Sequence, residues 1–158
     1  MTVRSYFHFG VLVNDLTAAI DRYSRVLGLT FTDPTIAHVD ALEEIGGATS
    51  PADVLVSYSR QGPPYYELIE AHDAGIYGRQ HGEGFHHVGI WEPGCETRRR
   101  ALVEEHGLEE EATQYAADGR IIVTYFLPSG LHGVRLELVD EARRADMERW
   151  ISGGDWVD

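Results

Sequence analysis

The chain of 158 residues carries 13 Lys and Arg against 26 Asp and Glu, a formal charge of −13, with 43% hydrophobic residues and one cysteine. That length allows one compact domain or two small halves sharing a core, and the acidity argues against nucleic acid or an anionic membrane surface as the main partner. No apolar run approaches the roughly 20 residues of a membrane helix, MTVRSYFHFG lacks the basic-then-apolar pattern of a secretion signal, and a lone Cys95 suits a reducing compartment, so a cytoplasmic protein is expected.

The apolar stretch from Tyr6 to Val13, interrupted by His8, opens the chain as a strand. Asp15 is placed to cap a helix whose stripe is Leu16, Ala19, Ile20, Tyr23, Val26 and Leu27, and Gly28 stands where a left-handed stop residue is wanted. Strands are predicted at Thr30–His38, Val54–Ser59 and Tyr65–Glu70, with a Gly- and Pro-containing loop over Glu43–Ala52. A second set follows: a strand around His86-His87-Val88-Gly89-Ile90, a helix from Glu96 to His106 stopped by Gly107, and strands at Glu111–Ala116, Ile121–Leu127 and Val134–Val139. A modest surface helix, Glu141–Ile151, and a Gly153-Gly154 break close the chain.

The two sets are copies of one another. His8-Phe9-Gly10-Val11 repeats as His87-Val88-Gly89-Ile90, 79 residues on; Gly28-Leu29 repeats as Gly107-Leu108 at the same offset. Glu67-Leu68-Ile69-Glu70 matches Glu137-Leu138-Val139-Asp140. The pattern is β-α-β-β-β twice, which predicts an α+β fold with modules over 1–75 and 76–140 and a C-terminal helix and tail over 141–158. Side chains alternate across a strand, so His8 and Glu67, with His87 and Glu137, fall on the sheet face that the helices leave open. If the sheet curves on itself into a partly open barrel, two imidazoles and two carboxylates converge. Such an N2O2 set suits one divalent ion, Zn, Ni, Co or Mn. The 79-residue offset selects His87 as ligand over His86, which becomes a packing or supporting residue.

With HFGVLVNDLTAAIDRYSRVLGLTF opening the double pattern, the sequence resembles the vicinal oxygen chelate superfamily, which includes glyoxalase I, bleomycin and fosfomycin resistance proteins, extradiol dioxygenases and methylmalonyl-CoA epimerase. The motifs around Tyr66–Glu70, Gly82–Gly89 and Gly133–Val139 are most similar to the epimerase branch. The resemblance implies His8, Glu67, His87 and Glu137 as metal ligands. A carboxylate in both late strands resembles glyoxalase I and the epimerase, which move a proton beside a metal-held oxygen; extradiol enzymes use a single-carboxylate triad. It also implies a homodimer and a small-molecule substrate.

The expected activity is therefore metal-dependent proton transfer next to a metal-bound carbonyl, of the epimerase, isomerase or lyase type. Glu137 is the expected base and Glu67 its opposite number, with Arg135, Tyr65 and Tyr125 as expected substrate contacts. The alternatives are a non-catalytic protein that sequesters a small ligand and, behind it, a ring-cleaving dioxygenase. Two features depart from the epimerase. No carboxylate lies on Val54–Tyr58, where that enzyme's catalytic one is implied, leaving Glu43 and Glu44 as loop substitutes. And a −13 protein attracts an acyl-CoA poorly unless Arg135 or Arg79 lines the entrance.

Overall fold

Where the apolar alternation is strongest, eight strands pair edge to edge until no free edge remains. The computed structural model describes residues 3–156; residues 1–2 and 157–158, the outer ends of the expected first module and tail, lie outside it. The elements are β1 (Tyr6–Val13), α1 (Leu16–Leu27), β2 (Thr35–Glu44), β3 (Ser50–Tyr58), β4 (Tyr65–Glu70), β5 (Gly84–Glu92), α2 (Cys95–Glu104), β6 (Glu110–Tyr115), β7 (Ile121–Phe126), β8 (Leu136–Asp140) and α3 (Arg144–Ile151). They form a closed barrel in the order β1-β4-β3-β2-β6-β7-β8-β5. Only β1/β4 and β5/β8 are parallel, and each such pair is bridged within its own half.

Closure corrects the expectation of a partly open sheet. It comes from β2, which runs on through residues expected to be loop and pairs Ala41–Glu44 with Ala112–Tyr115 of β6. The loop is a tight turn at 45–49, because β3 also begins early, at Ser50. Backbone groups that would otherwise face water or an edge are satisfied by extending the ladder, and this outweighs the local turn chemistry. The opposite seam is β1 against β5, where Gly10 pairs with His87 and His8 with Gly89.

Each half covers its outer face with its own helix. Asp15 caps α1 by accepting from the Ala18 amide at 2.9 Å, and Gly28 ends it at φ 69°. Leu16, Ala19, Ile20 and Tyr23 pack on Val11, Val13 and Leu68, whereas Val26 and Leu27, expected in the same stripe, are exposed beyond the sheet's edge. Under α2, Cys95 and Leu102 meet Phe126 and Leu138. The predicted C-terminal helix is a 3-10 turn at Glu141–Arg143 followed by α3, whose Met147, Trp150 and Ile151 close one end of the barrel interior. Among the described residues no helix is long and apolar enough to cross a membrane.

The β1/β5 seam carries two bulges. Between the pairs Tyr6/Ile90 and His8/Gly89, β1 has one extra residue, Phe7; between Gly10/His87 and Val11/Phe85, β5 has one extra residue, His86. Phe7 and His86 are themselves 79 residues apart, so the bulge belongs to the repeat. A bulge re-aims the side chains beside it, and each residue next to a candidate ligand, Phe7 or His86, is thereby buried along with it. Strict alternation would have sent His86 to the opposite face.

Candidate metal centre

The seam brings the two H-x-G segments into reciprocal contact. The His87 ring lies over the bare Cα of Gly10, and the His8 ring over Gly89. A Cβ at Gly89 would stand 2.6 Å from both His8 Cε1 and Glu137 Oε2. The glycines thus hold open the space that the imidazoles fill. The carboxylates arrive from the neighbouring strands, Glu67 on β4 and Glu137 on β8.

Four donor atoms converge. His8 Nε2 is 2.8 Å from His87 Nε2, 2.7 Å from Glu137 Oε2 and 3.2 Å from Glu67 Oε2; His87 Nε2 is 3.1 Å from Glu67 Oε2 and 3.4 Å from Glu137 Oε2. All four residues are buried, and neither carboxylate Oε2 has a well-directed hydrogen bond. Donors held about 2.1 Å from one ion at right angles stand about 3.0 Å apart, so the separations among His8, Glu67 and His87 fit a common ion. Among the described residues His8, Glu67 and His87 form a group that could hold a metal, and the Glu137 carboxylate approaches both imidazoles as well. Two anionic oxygens and two imidazoles match a divalent charge.

Supporting contacts fix two of these groups. The Tyr58 hydroxyl, across the β3/β4 ladder from Glu67, donates to Glu67 Oε1 at 2.5 Å and leaves Oε2 for the centre. His86 Nε2 lies 2.8 Å from the Ile76 carbonyl, which can only accept, so that nitrogen carries the hydrogen. Its Nδ1 is then a bare acceptor 2.8 Å from His87 Nδ1. A hydrogen of His87 is thereby held on Nδ1, which leaves Nε2 as the nitrogen whose lone pair would meet an ion once the central proton is displaced. The Ile76 amide in turn donates to the Glu44 carboxylate, completing a chain from the barrel rim to the centre. Replacing His86 by Phe, the residue at the matching position of the first half, is expected to weaken divalent-metal binding about 10- to 100-fold. Metal titration with 15N spectra of His87 checks this; an unchanged affinity and unchanged Nδ1–H tautomer would refute it.

Burial is the largest influence on all four central groups and opposes charge, yet their mutual attraction outweighs it. Against burial, Glu67 and Glu137 raise His8 to about 10 and also raise His87, while the two imidazoles hold both carboxyls well below the usual range. Protons occupy the centre of the metal-free protein, and an ion must displace them. Burial, with His87 and Arg135 nearby, lowers His86 to about 3 and keeps it neutral.

The pH dependence follows from these signs. The contribution of His8 is complete below pH 6.5 and fades as pH rises toward 10. His86 costs stability as pH falls from 6.5 toward 3, and the two carboxylates lose their contribution below about 4.5. The metal-free protein should therefore be most heat-stable near pH 6.5. The extra Tm given by a saturating divalent ion should widen as pH rises from there. A metal increment that stays flat in calorimetry would refute proton displacement.

The centre faces a chamber of about 70 Å³, lined among others by Phe7, Tyr58, Tyr77, Gln114, Val123 and Tyr125. Gln114 donates to the Tyr77 hydroxyl, which lies 2.7 Å from that of Tyr125. Burial first, then the nearby carboxylates, keep the Tyr58, Tyr77 and Tyr125 hydroxyls protonated. A wider vestibule of about 350 Å³ adjoins it, sharing His38, Ile122, Arg143, Met147 and Trp156.

Of the residues expected to meet substrate, Tyr125 lines the chamber. Tyr65 instead packs edge-on to Phe7 in the surrounding core. Arg135 is turned away: 8% exposed, it pairs with Glu111 at 2.6 Å and donates to the His86 carbonyl. Arg79 pairs with Asp73 at the surface. Glu44 is spent on the Ile76 amide, and Glu43 lines an outer acidic hollow with Glu110 and Glu111. Tyr58, Tyr77, Gln114, His38 and Arg143 carry no mark in the sequence that would single them out for this site. Their placement depends on ladder register and on how α3 folds back.

The sequence model of the Glyoxalase/Bleomycin resistance protein/Dioxygenase superfamily matches residues 7–126. The chain belongs to that superfamily. Solved structures similar to it include a variant of Streptomyces coelicolor methylmalonyl-CoA epimerase in complex with 2-nitronate-propionyl-CoA, with 19% identity and a TM-score of 0.62, covering 89% of this chain and 96% of that one. The Mycobacterium tuberculosis methylmalonyl-CoA epimerase has 18% identity and a TM-score of 0.61, covering 89% of each chain. A hypothetical protein from Bacillus halodurans C-125 has 21% identity and a TM-score of 0.59, covering 88% of this chain and 95% of that one. Among curated proteins no sequence matches. At these identities the likeness to the solved structures establishes the fold alone.

Proposed function

We propose that this superfamily member is a divalent-metal-dependent enzyme that moves a proton at the carbon next to a carbonyl, as an epimerase, isomerase or lyase. The observation that carries the reading is the pair of buried carboxylates, one from each half, flanking one chamber with different restraints. Glu67 is tied through Oε1 to Tyr58, whereas among the described residues no hydroxyl donates to Glu137. The matching tyrosine of the second half, Tyr125, sits across the ladder from Glu137 but bonds Tyr77 instead.

His8, Glu67, His87 and Glu137 would hold the ion; Zn, Ni, Co or Mn suits this donor set. Such an ion would supply Lewis-acid polarisation of a carbonyl, which makes the proton on the neighbouring carbon easier to remove. Glu137, with no hydroxyl tying it, would take that proton, and Glu67 would return one from the other half. The apolar and aromatic walls exclude water from the exchanging proton. They would equally suit a protein that only sequesters a small ligand. We further propose a cytoplasmic homodimer whose second copy covers the apolar strip of Val3, Tyr6, Leu131 and Val134.

Two measurements test the enzymatic reading. Elemental analysis after reconstitution should find about one divalent ion per chain, lost in His87→Ala. Solvent deuterium should enter the carbon next to the carbonyl in at least one member of a panel of 2-oxo acids and acyl-CoA esters. Tight binding of an apolar ligand with no exchange anywhere would favour sequestration.

A further inference from the structure

Resting on that reading, the structure assigns a substrate class: a small acid whose one carboxylate pairs with Arg143 at the mouth of the chamber while its other end meets the His8/Glu67/His87/Glu137 centre. Arg143 belongs to the 3-10 turn between β8 and α3 and lines both the chamber and the vestibule. Its basic neighbours are engaged: Arg120 with Asp140 and Asp118, Arg144 with Glu141 and Glu148, Arg149 with Asp146. The Arg143 guanidinium alone of this group makes no hydrogen bond or ion pair among the described residues, and the residue is only half-buried.

An unmatched guanidinium over a largely apolar passage is a bidentate site for one carboxylate. Of the acids that share the vestibule, Asp146 is already held by Arg149, and Asp40 lies 4.0 Å from His38 Nε2, whose ring also pairs with Asp53. These carboxylates tolerate one added negative charge opposite Arg143 but repel a cluster of them. The passage from Arg143 to the centre runs along Ile122, Met147, Val123 and Val139, so the middle of the molecule is apolar.

Charge also separates this chain from a coenzyme A ester enzyme. The phosphates of coenzyme A need several cations, and Arg120, the other arginine of the vestibule, is neutralised by Asp140. Arg135 and Arg79, the cations expected at the entrance, are paired elsewhere.

The test is calorimetric titration of zinc-loaded protein with 2-oxo diacids of five, six and seven carbons, each against its chain-matched ω-amide. At least one diacid is expected to bind about tenfold or more tightly than its amide. Arg143→Gln should erase that preference, and Arg143→Lys should restore part of it. Equal binding of acid and amide, a preference that survives in Arg143→Gln, absence of binding by the whole series, or tighter binding of methylmalonyl-CoA than of any diacid would overturn the assignment. Failure of the proton-transfer reading would show separately, as absent deuterium exchange in a protein that still prefers the diacid.

Discussion

Gly10→Ala is expected to lower divalent-metal affinity at least 100-fold and to cost about 2–3 kcal/mol of stability, a size typical of forcing an extra group into a packed interior. Strand propensity alone points the other way, since removing glycine from a strand is ordinarily worth about 0.5–1 kcal/mol. The sign reverses because the new methyl would overlap the His87 imidazole. That ring has nowhere to go: it is fully buried and bonded from behind to His86. It can make room only by breaking the contact that sets its tautomer or by swinging Nε2 off the centre. Gly28→Ala provides the contrast. Gly28 is left-handed at φ 69° with nothing within 4 Å of the added carbon, so strain of about 1 kcal/mol is expected with metal affinity unchanged. Calorimetry and metal titration of both variants decide the matter. Full metal binding by Gly10→Ala would show that the reciprocal glycines are incidental to the centre.

These glycines also show what could be read from the residues alone. The repeat marks His8 and His87 at one offset, and alternation along β4 and β8 puts Glu67 and Glu137 on the inner face. Each of those inferences needs only a local period, and the structure brings the four groups together. What period cannot supply is a break in period. The bulge that buries both Phe7 and His86 beside the ligands leaves no compositional mark, because phenylalanine and histidine are ordinary strand residues. Register is hidden for the same reason. Tyr58 meets Glu67 and Tyr125 faces Glu137 only because β3/β4 and β7/β8 pair as they do. Arg135 and Arg143 illustrate a further limit. Two residues before Glu137, Arg135 looks aimed at the centre, but Glu111 from β6 captures it. Arg143 sits in a charge-rich stretch that reads as a solvated helix, and it reaches the chamber because the chain folds back over the barrel's end.

The unequal restraint on the two carboxylates leads to unequal losses. Glu137→Gln keeps shape and one ligand oxygen but removes the basic lone pair, so at saturating metal the rate of deuterium exchange should fall about 10²- to 10⁴-fold, the range for a lost general base. Glu67→Gln should act first on metal affinity, because Tyr58 still orients the amide but the charge facing His8 and His87 is halved. Once metal is saturating, proton removal by Glu137 should largely return. Interconversion of enantiomers, which needs a group on each side of the reacting carbon, should stay impaired. A substrate that requires only one proton removed would escape that second loss, so the pattern in Glu67→Gln distinguishes a two-sided epimerase from a one-sided lyase or isomerase. Equal losses in both variants, each fully repaired by excess metal, would reduce the two glutamates to ligands and remove Glu137 from the chemistry.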